Sequence, residues 1–100
     1  MDGFSKQPYE VFAISVDFGR NMETGETLAT QTVTAATATG EDATAEVVQA
    51  GSVTNDGATK VTAVVLGGQP AQKFYKLTVR AQTSIGHQWE HEILMRVVEL

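Results

Sequence analysis

The feature that most restricts the fold is a regular alternation of apolar and polar side chains in the segment "KFYKLTVRAQT". The apolar positions are Tyr75, Leu77, Val79 and Ala81, and the polar ones are Lys76, Thr78, Arg80 and Gln82. Successive side chains of an extended chain point to opposite sides, so a period of two is typical of a strand with one buried face. The segment predicts an amphipathic β-strand.

Several other segments predict further strands. "YEVFAISVDF" alternates in the same way, and shorter strands are predicted in "ETLATQTVTAAT", "ATAEVVQAG" and "TKVTAVVL". In "ETLATQTVTAAT" the apolar residues change parity between Leu28 and Val33, which indicates a bulge or bend in that strand. The segment "QWEHEILMRVVEL" fits a strand or a helix. Because "TSIGH" is a short glycine-containing connection directly after the most regular strand, the return arm of an antiparallel hairpin is favoured.

Turn signals separate these segments at intervals that suit an all-β sandwich. They fall at Met22 to Gly25, Gly40 to Asp42, Gly51 to Gly57, Gly67 to Ala71 and Ser84 to Gly86. We therefore expect one domain, residues 1–100 with its main body at about 9–99, of about seven strands in two antiparallel sheets. The predicted core consists of Phe12, Ile14, Val16, Val64, Leu66, Tyr75, Leu77, Val79, Ile93, Met95 and Val97.

Tyr75 has a second reading besides that of an ordinary core residue. In immunoglobulin-like sandwiches a tyrosine near the start of the strand before the last one turns its hydroxyl back to the preceding loop, which is called a tyrosine corner. Tyr75 follows "GGQPAQKF" and occupies that position. Both readings are compatible with the sequence.

Composition excludes several classes of protein. The net charge is −5, and it is uneven, because residues 1–50 carry eight acidic and two basic side chains. The basic residues of the second half are dispersed without interleaved aromatic residues, which argues against nucleic-acid binding. There is no cysteine, hence no disulfide or thiolate site. The start "MDGFSKQPYE" lacks signal-peptide character and no apolar run reaches ~18 residues, so we expect a soluble protein made in the cytoplasm.

One segment resembles a metal site. His87, Glu90 and His91 have the H-x-x-E-H spacing of a group of zinc hydrolases, which works on a helix because residues four apart share a face. In a strand the two histidines would lie ~13 Å apart at ~3.3 Å per residue, and Glu90 would point to the opposite face from His91. If the segment is a strand, the spacing does not make a zinc site.

Other catalytic patterns are weak. A serine or threonine nucleophile needs a base within hydrogen-bond reach, and the chain has only two histidines, both in one predicted hairpin. The segment "GQPAQK" lacks the G-K-[ST] ending of a phosphate-binding loop. The acidic turns lack the alternating pattern of a calcium loop and are expected to be solvated. These turns contain Glu23, Glu26, Glu41, Asp42 and Asp56. We therefore predict no catalytic, cofactor-binding or metal-binding residues, and no enzymatic activity.

Three segments resemble a family of small tail-associated proteins of tailed phages and prophages, the fiber-tail adaptors. They are "TGETLATQTVTA", "VTAVVLGGQPAQKFYKLTVRAQTSIG" and "EHEILMRVV". The matching positions are Gly25, Glu26, Thr27, Leu28, Leu66, Gly67, Gly68, Tyr75, Leu77, Thr78, Thr83, Gly86, Glu90, Ile93, Met95 and Val97, and the likeness covers about residues 8–99. The chain departs from the family at Val33, Ala71 and His87, where Trp, Gly and Arg are frequent. Because the family usually has arginine where this chain has His87, the zinc-like spacing is interpreted as a chance feature of the local sequence.

The resemblance implies an immunoglobulin-like β-sandwich that acts, without enzymatic activity, as a virion structural or assembly protein, a tail or fibre-attachment adaptor. Its partners would be other phage structural proteins and further copies of itself, with no nucleic acid and no membrane, and it would be made in the bacterial host cytoplasm. The alternative is an adhesion or carbohydrate-binding module of the same fold. Such a module favours exposed aromatic platforms, whereas Trp89, the single tryptophan, is predicted to face inward.

Overall fold

The computed structural model describes residues 2–99, which form seven strands and two short helical turns. The strands are β1 (Asp2–Lys6), β2 (Phe12–Asp17), β3 (Leu28–Thr37), β4 (Thr54–Asn55), β5 (Lys60–Val65), β6 (Tyr75–Thr83) and β7 (Gln88–Val97). The helical segments are a 3-10 turn, Gly19–Asn21, and the α-helical turn α1, Thr44–Val47. Met1 and Leu100, the ends of the expected domain, lie outside the described range.

The strands form two sheets, as expected for an all-β protein. The larger has the order β1-β7-β6-β3 and the smaller the order β2-β5-β4. All neighbours pair antiparallel except β1, which runs parallel to β7. The expectation of two fully antiparallel sheets was therefore wrong for the larger sheet. β1 and β2 belong to different sheets, so β1 does not form a hairpin with its neighbour in sequence and pairs instead with the edge of β7.

The centre of the larger sheet agrees with the sequence. β7 returns antiparallel along β6 from Gln88 opposite Gln82 to Met95 opposite Tyr75, so the strand assignment of "QWEHEILMRVVEL" is confirmed. The β3–β6 register shifts between Leu28 and Thr30, where the change of parity indicated a bulge. These two results confirm that the period-two pattern and the turn were sufficient to position β6 and β7.

The core contains most of the predicted residues, with errors in β2 and β5. Those confirmed as buried are Val16, Tyr75, Leu77, Val79, Ile93, Met95 and Val97. Ile14 is half-buried and packs against this core. Three assignments were wrong: Phe12 is exposed, and Val64 and Leu66 are half-buried. In β5 the inward residues are instead Val61, Ala63 and Val65, which pair with Val16, Ile14 and Phe12 of β2.

The predicted strand in "ATAEVVQAG" was also wrong, because this segment contains α1. The Asp42 carboxylate accepts hydrogen bonds from the Thr44 N–H at 3.1 Å and the Thr44 hydroxyl at 2.7 Å, which favours a turn there. Val47 and Val48 are consecutive and both buried, an arrangement that a strand with one buried face does not allow.

The connection between β5 and β6 is tightly packed. Gly68 has φ +93°, and a Cβ atom there would lie 2.5 Å from Val97 Cγ2. The buried Lys6 ammonium donates to the carbonyl oxygens of Gly67 at 2.6 Å and Gln7 at 2.7 Å. These contacts fix the β5–β6 connection against the C-terminal ends of the parallel strands β1 and β7.

Candidate functional site

The structure separates the residues of the zinc-like segment. His87 lies in the turn before β7, where its Nδ1 is 3.1 Å from Glu26 Oε2. His91 lies within β7, and its Nε2 is 2.9 Å from Asp2 Oδ2 of β1. Glu90 forms an ion pair with Arg80 at 2.6 Å. The three side chains thus have three different partners, as the strand geometry predicted.

A different cluster brings together Glu23, Glu26 and His87. Their nearest oxygen and nitrogen atoms all lie within 4.8 Å of one another, and such ligands suit a small cation. The Glu26 side chain is 1% exposed, so its expected place in a solvated turn was wrong. Glu26 Oε1 accepts the Glu23 N–H at 2.8 Å and Oε2 contacts His87, so both carboxylate oxygens already have partners. The cluster acts as an internal brace between the turn before β3 and the turn before β7.

The hydrogen bonds around Glu26 affect its ionisation. The Thr83 hydroxyl has the largest effect and lowers the pKa of Glu26, the Glu23 N–H and His87 lower it further, and burial opposes them. Glu26 and Leu28 are two residues apart, so in an extended chain both point to the same, inward face. That parity was the sequence signal that could have identified Glu26 as buried.

Most of the other acidic turns also use their carboxylates locally. Asp56 Oδ1 accepts the N–H groups of Ala58, Thr59 and Lys60 at 2.8–3.0 Å, and Asp42 accepts from Thr44 as described above. These hydrogen bonds lower the pKa of both aspartates. The largest effect comes from the Lys60 N–H for Asp56 and from the Thr44 hydroxyl for Asp42. The turns are therefore stabilised by the acidic side chains themselves.

Tyr75 has the geometry of a tyrosine corner. Its ring is fully buried at the start of β6, and its hydroxyl accepts the Gln69 N–H from the preceding loop at 2.9 Å. The hydroxyl also donates to Glu46 Oε1 at 3.2 Å. Of the two readings of Tyr75, the structure supports the corner.

A cleft lies where the open edges of β1 and β2 meet. β1 pairs with β7, β2 pairs with β5, and within residues 2–99 no strand pairs with the other edge of either. Phe4 of β1 and Phe12 of β2 touch edge to face, with ring centroids 5.7 Å apart. Between the two strands lies a cleft of about 530 Å³, which we call the β1–β2 cleft.

The β1–β2 cleft is lined by apolar and polar side chains together, and three of the polar ones are acidic. Its residues are Asp2, Gly3, Phe4, Phe12, Ile14, Ser15, Val16, Asp17, Phe18, Asn21, Trp89, Glu90, His91 and Ile93. None of these described lining residues is Lys or Arg. Asp17 accepts the Gly19 N–H at 2.8 Å, and this hydrogen bond lowers its pKa, so Asp17 carries its charge at neutral pH.

Trp89 is half-buried and packs against the core, in agreement with its predicted inward orientation. Its ring contacts His87 edge to face at 5.5 Å. The indole N–H is buried but has no hydrogen-bond partner among the described residues. A buried donor without an acceptor is costly to stability.

The β1–β2 connection adds exposed apolar side chains beside the cleft. Tyr9 is 96% exposed and Val11 57% exposed, and both lie in the segment that leads to Phe12. The sequence had suggested a core role for Phe12 and none for Tyr9 or Val11.

Comparison with known proteins identifies the family. Among residues 2–99, neither helical segment has the length and apolar character needed to cross a membrane. A search of curated proteins gave no match. A family model described as "Podophage GP4 fiber-tail adaptor protein gp77" matches residues 6–96, which is nearly the whole chain. The match covers all the strands except the first four residues of β1 and the last residue of β7. The chain therefore belongs to the podophage fiber-tail adaptor family.

Proposed function

We propose that this protein is a non-enzymatic adaptor in a phage or prophage virion, located in the tail or the fibre-attachment region, and that it acts through contacts with other virion proteins. The observation that carries the proposal is the family match over residues 6–96. The cleft supports it, because an apolar surface along two open strand edges favours binding a protein over binding a small substrate.

We further propose that residues 1–100 are a single immunoglobulin-like domain. The orders β3-β6-β7 and β2-β5-β4 correspond to the CFG and BED sheets of that fold, with β1 added to the edge of the first. The Tyr75 corner supports the same assignment, since it lies at the start of the strand equivalent to F. A sandwich of this kind gives the virion a rigid unit with variable edges and loops.

Partners and location follow from the adaptor role. The protein would be made in the bacterial host cytoplasm and incorporated into the virion, where it contacts other phage structural proteins and further copies of itself. The net charge of −5, with acidic groups in excess, does not favour nucleic acid as a partner. The inward position of Trp89 does not favour the alternative of a carbohydrate-binding module.

The test is whether the protein is part of the particle. Particles purified from cells carrying the gene are analysed by mass spectrometry and by gold-labelled antibody in the electron microscope, with particles from a gene deletion as the control. We expect the protein in the particles, label on the tail, and a loss of fibres or tails in the deletion. Absence of the protein from intact, infectious particles would overturn the adaptor role.

The DNA on either side of the gene gives a second, independent test. Neighbouring reading frames for portal, capsid, tail-tube or tape-measure proteins are expected. Neighbours for secretion or sugar metabolism would favour the adhesion or carbohydrate-binding module instead.

A further inference from the structure

The direction of the backbone groups of β2 can be worked out from one hydrogen bond. Phe18 directly follows β2, and its N–H donates to the Thr59 carbonyl at 2.9 Å. The two residues are opposite each other, one position beyond the pair Asp17–Lys60. In an antiparallel pair, residues that bond to the partner strand alternate with residues whose N–H and C=O point away. The residues that point away from β5, toward the open edge, are therefore Ala13, Ser15 and Asp17.

The open edge of β2 lacks the features that usually prevent strand pairing. Natural edge strands are protected by proline, by a central lysine, by shortness or by a covering segment. β2 has six residues, "FAISVD", with no proline and a charge only at its last residue. By contrast, β4 has two residues, and the outward groups at the end of β3 bond to the 41–44 segment. Of the described edges, β2 is well suited to accept another strand.

The side chains that an added strand needs can be read from the β1–β2 cleft. A strand placed beside β2 directs alternate side chains inward, toward Phe4, Ile14 and Ile93, and these should be apolar. Its flanks and remaining side chains lie near the carboxylates of Asp2 and Asp17, which favour basic groups.

A second copy of this chain fits the site less well. The 7–19 segment, which contains β2, carries Glu10 and Asp17 and no Lys or Arg. The β2 of another copy would therefore offer no basic side chain to Asp17 or to the acidic groups of the cleft.

We propose that β2 and the β1–β2 cleft bind an extended segment of another protein, with alternating apolar and basic side chains, as an added fourth strand of the smaller sheet. The inference rests on the proposed function, because it describes the contact through which the adaptor binds its partner. Main-chain hydrogen bonds to Ala13 and Ser15 supply affinity, and the apolar and acidic side chains of the β1–β2 cleft supply selectivity.

The probe is a capped twelve-residue peptide in which valine alternates with lysine, and its control has glutamate in place of lysine. Trp89 is the single tryptophan, so its fluorescence reports on the cleft. With the lysine peptide we expect a shift in Trp89 emission and slower hydrogen exchange at the amides of Ala13 and Ser15. The glutamate peptide should bind at least tenfold more weakly. Unchanged exchange at these amides in millimolar lysine peptide, or equal affinity for both peptides, would overturn the proposal.

A pair of variants tests the main-chain contact. Ala13→Pro removes an outward N–H and leaves the groups that face β5 in place, whereas Ala13→Val keeps the N–H. We expect at least a tenfold loss of affinity for the lysine peptide in Ala13→Pro and less than a twofold change in Ala13→Val. If Ala13→Pro does not fold, N-methylation of alternate peptide amides removes the same contacts from the other side and should also weaken binding tenfold. Full affinity in either case would contradict strand addition.

Two further outcomes keep this inference distinct from the proposed function. A dimer in sedimentation experiments that Ala13→Pro abolishes would assign the edge to a second copy and overturn the proposed occupant. Presence of the protein in virions together with failure of the peptide test would leave the adaptor role intact and refute only the strand addition.

Discussion

Tyr75 shows how one side chain can connect three segments. Its buried ring belongs to the core, while its hydroxyl accepts from Gln69 in the β5–β6 loop and donates to Glu46 in α1. Burial, as the largest effect, raises the pKa of the phenol, so the hydroxyl stays protonated and able to donate at neutral pH. The loop and the helical turn are thereby linked to the start of β6.

Tyr75→Phe tests this connection. It removes both hydrogen bonds without creating a large cavity, and we expect the free energy of unfolding to fall by about 0.5–1.5 kcal/mol in urea denaturation. Tyr9→Phe removes the same atom from a side chain that is 96% exposed and should change it by less than about 0.5 kcal/mol. Equal effects of the two changes would show that the corner does not stabilise the fold.

Gly68 tests backbone constraint and packing separately. An alanine at position 68 would have a positive φ of +93°, and its Cβ atom would lie only 2.5 Å from Val97 Cγ2. At Gly57, φ is +76° but nothing lies within 4 Å of the added atom. We expect Gly57→Ala to cost about 1 kcal/mol from the backbone alone, and Gly68→Ala to cost clearly more, measured by thermal unfolding. A smaller loss at Gly68 would show that Val97 moves aside without cost.

Both β5 and β6 were predicted as strands and are confirmed, but only for β6 was the buried face predicted correctly, and the difference has a physical cause. β6 has polar residues at every second position, so only one register buries its apolar face. In "VTAVVL" apolar side chains occur at both parities, so the pattern does not distinguish the two registers. The pairing of Val65 with Phe12 and of Val61 with Val16 determines which face is inward, and that pairing is a long-range contact.

The candidate site was beyond sequence reasoning for the same reason. The β1–β2 cleft exists because β1 joins the edge of β7 while β2 joins β5 in the other sheet. Neither "DGFSK" nor "FAISVD" contains a signal for that separation. Trp89, by contrast, was predicted to face inward from its parity with Ile93, and the structure confirms it.

The register of β5 predicts opposite outcomes for two adjacent valines. Val65 is fully buried and Val64 half-buried, so Val65→Ala should lower the free energy of unfolding by roughly 1.5–3 kcal/mol, from lost burial plus the cavity. Val64→Ala should cost less than about 1 kcal/mol. Urea denaturation of both variants decides the matter, and a larger loss at Val64 would support the register that the sequence alone had suggested.

The whole molecule combines an excess of acidic groups with carboxylates that accept hydrogen bonds in the folded state. Asp17, Glu26, Asp42 and Asp56 all have a lowered pKa, and in each case the largest cause is a hydrogen bond. A carboxyl group whose pKa is lower in the folded state binds fewer protons there than in the unfolded chain. Its stabilising effect is therefore complete above the ordinary pKa and is lost as the pH falls through the folded value.

Acid unfolding should therefore show the contribution of Glu26, the most buried of these carboxylates. Glu26→Gln keeps the shape of the side chain but removes its charge, so at neutral pH the variant should be less stable than the natural protein. The difference should narrow as the pH falls below 4.5, the ordinary pKa of this group, because the natural protein then loses the stabilisation that the variant lacks. Glu99→Gln removes the same charge from an exposed position and is the matched control. Urea denaturation across the acid range measures the difference, and a gap that stays constant with pH would mean that the hydrogen bonds from Thr83, Glu23 and His87 do not favour the ionised form.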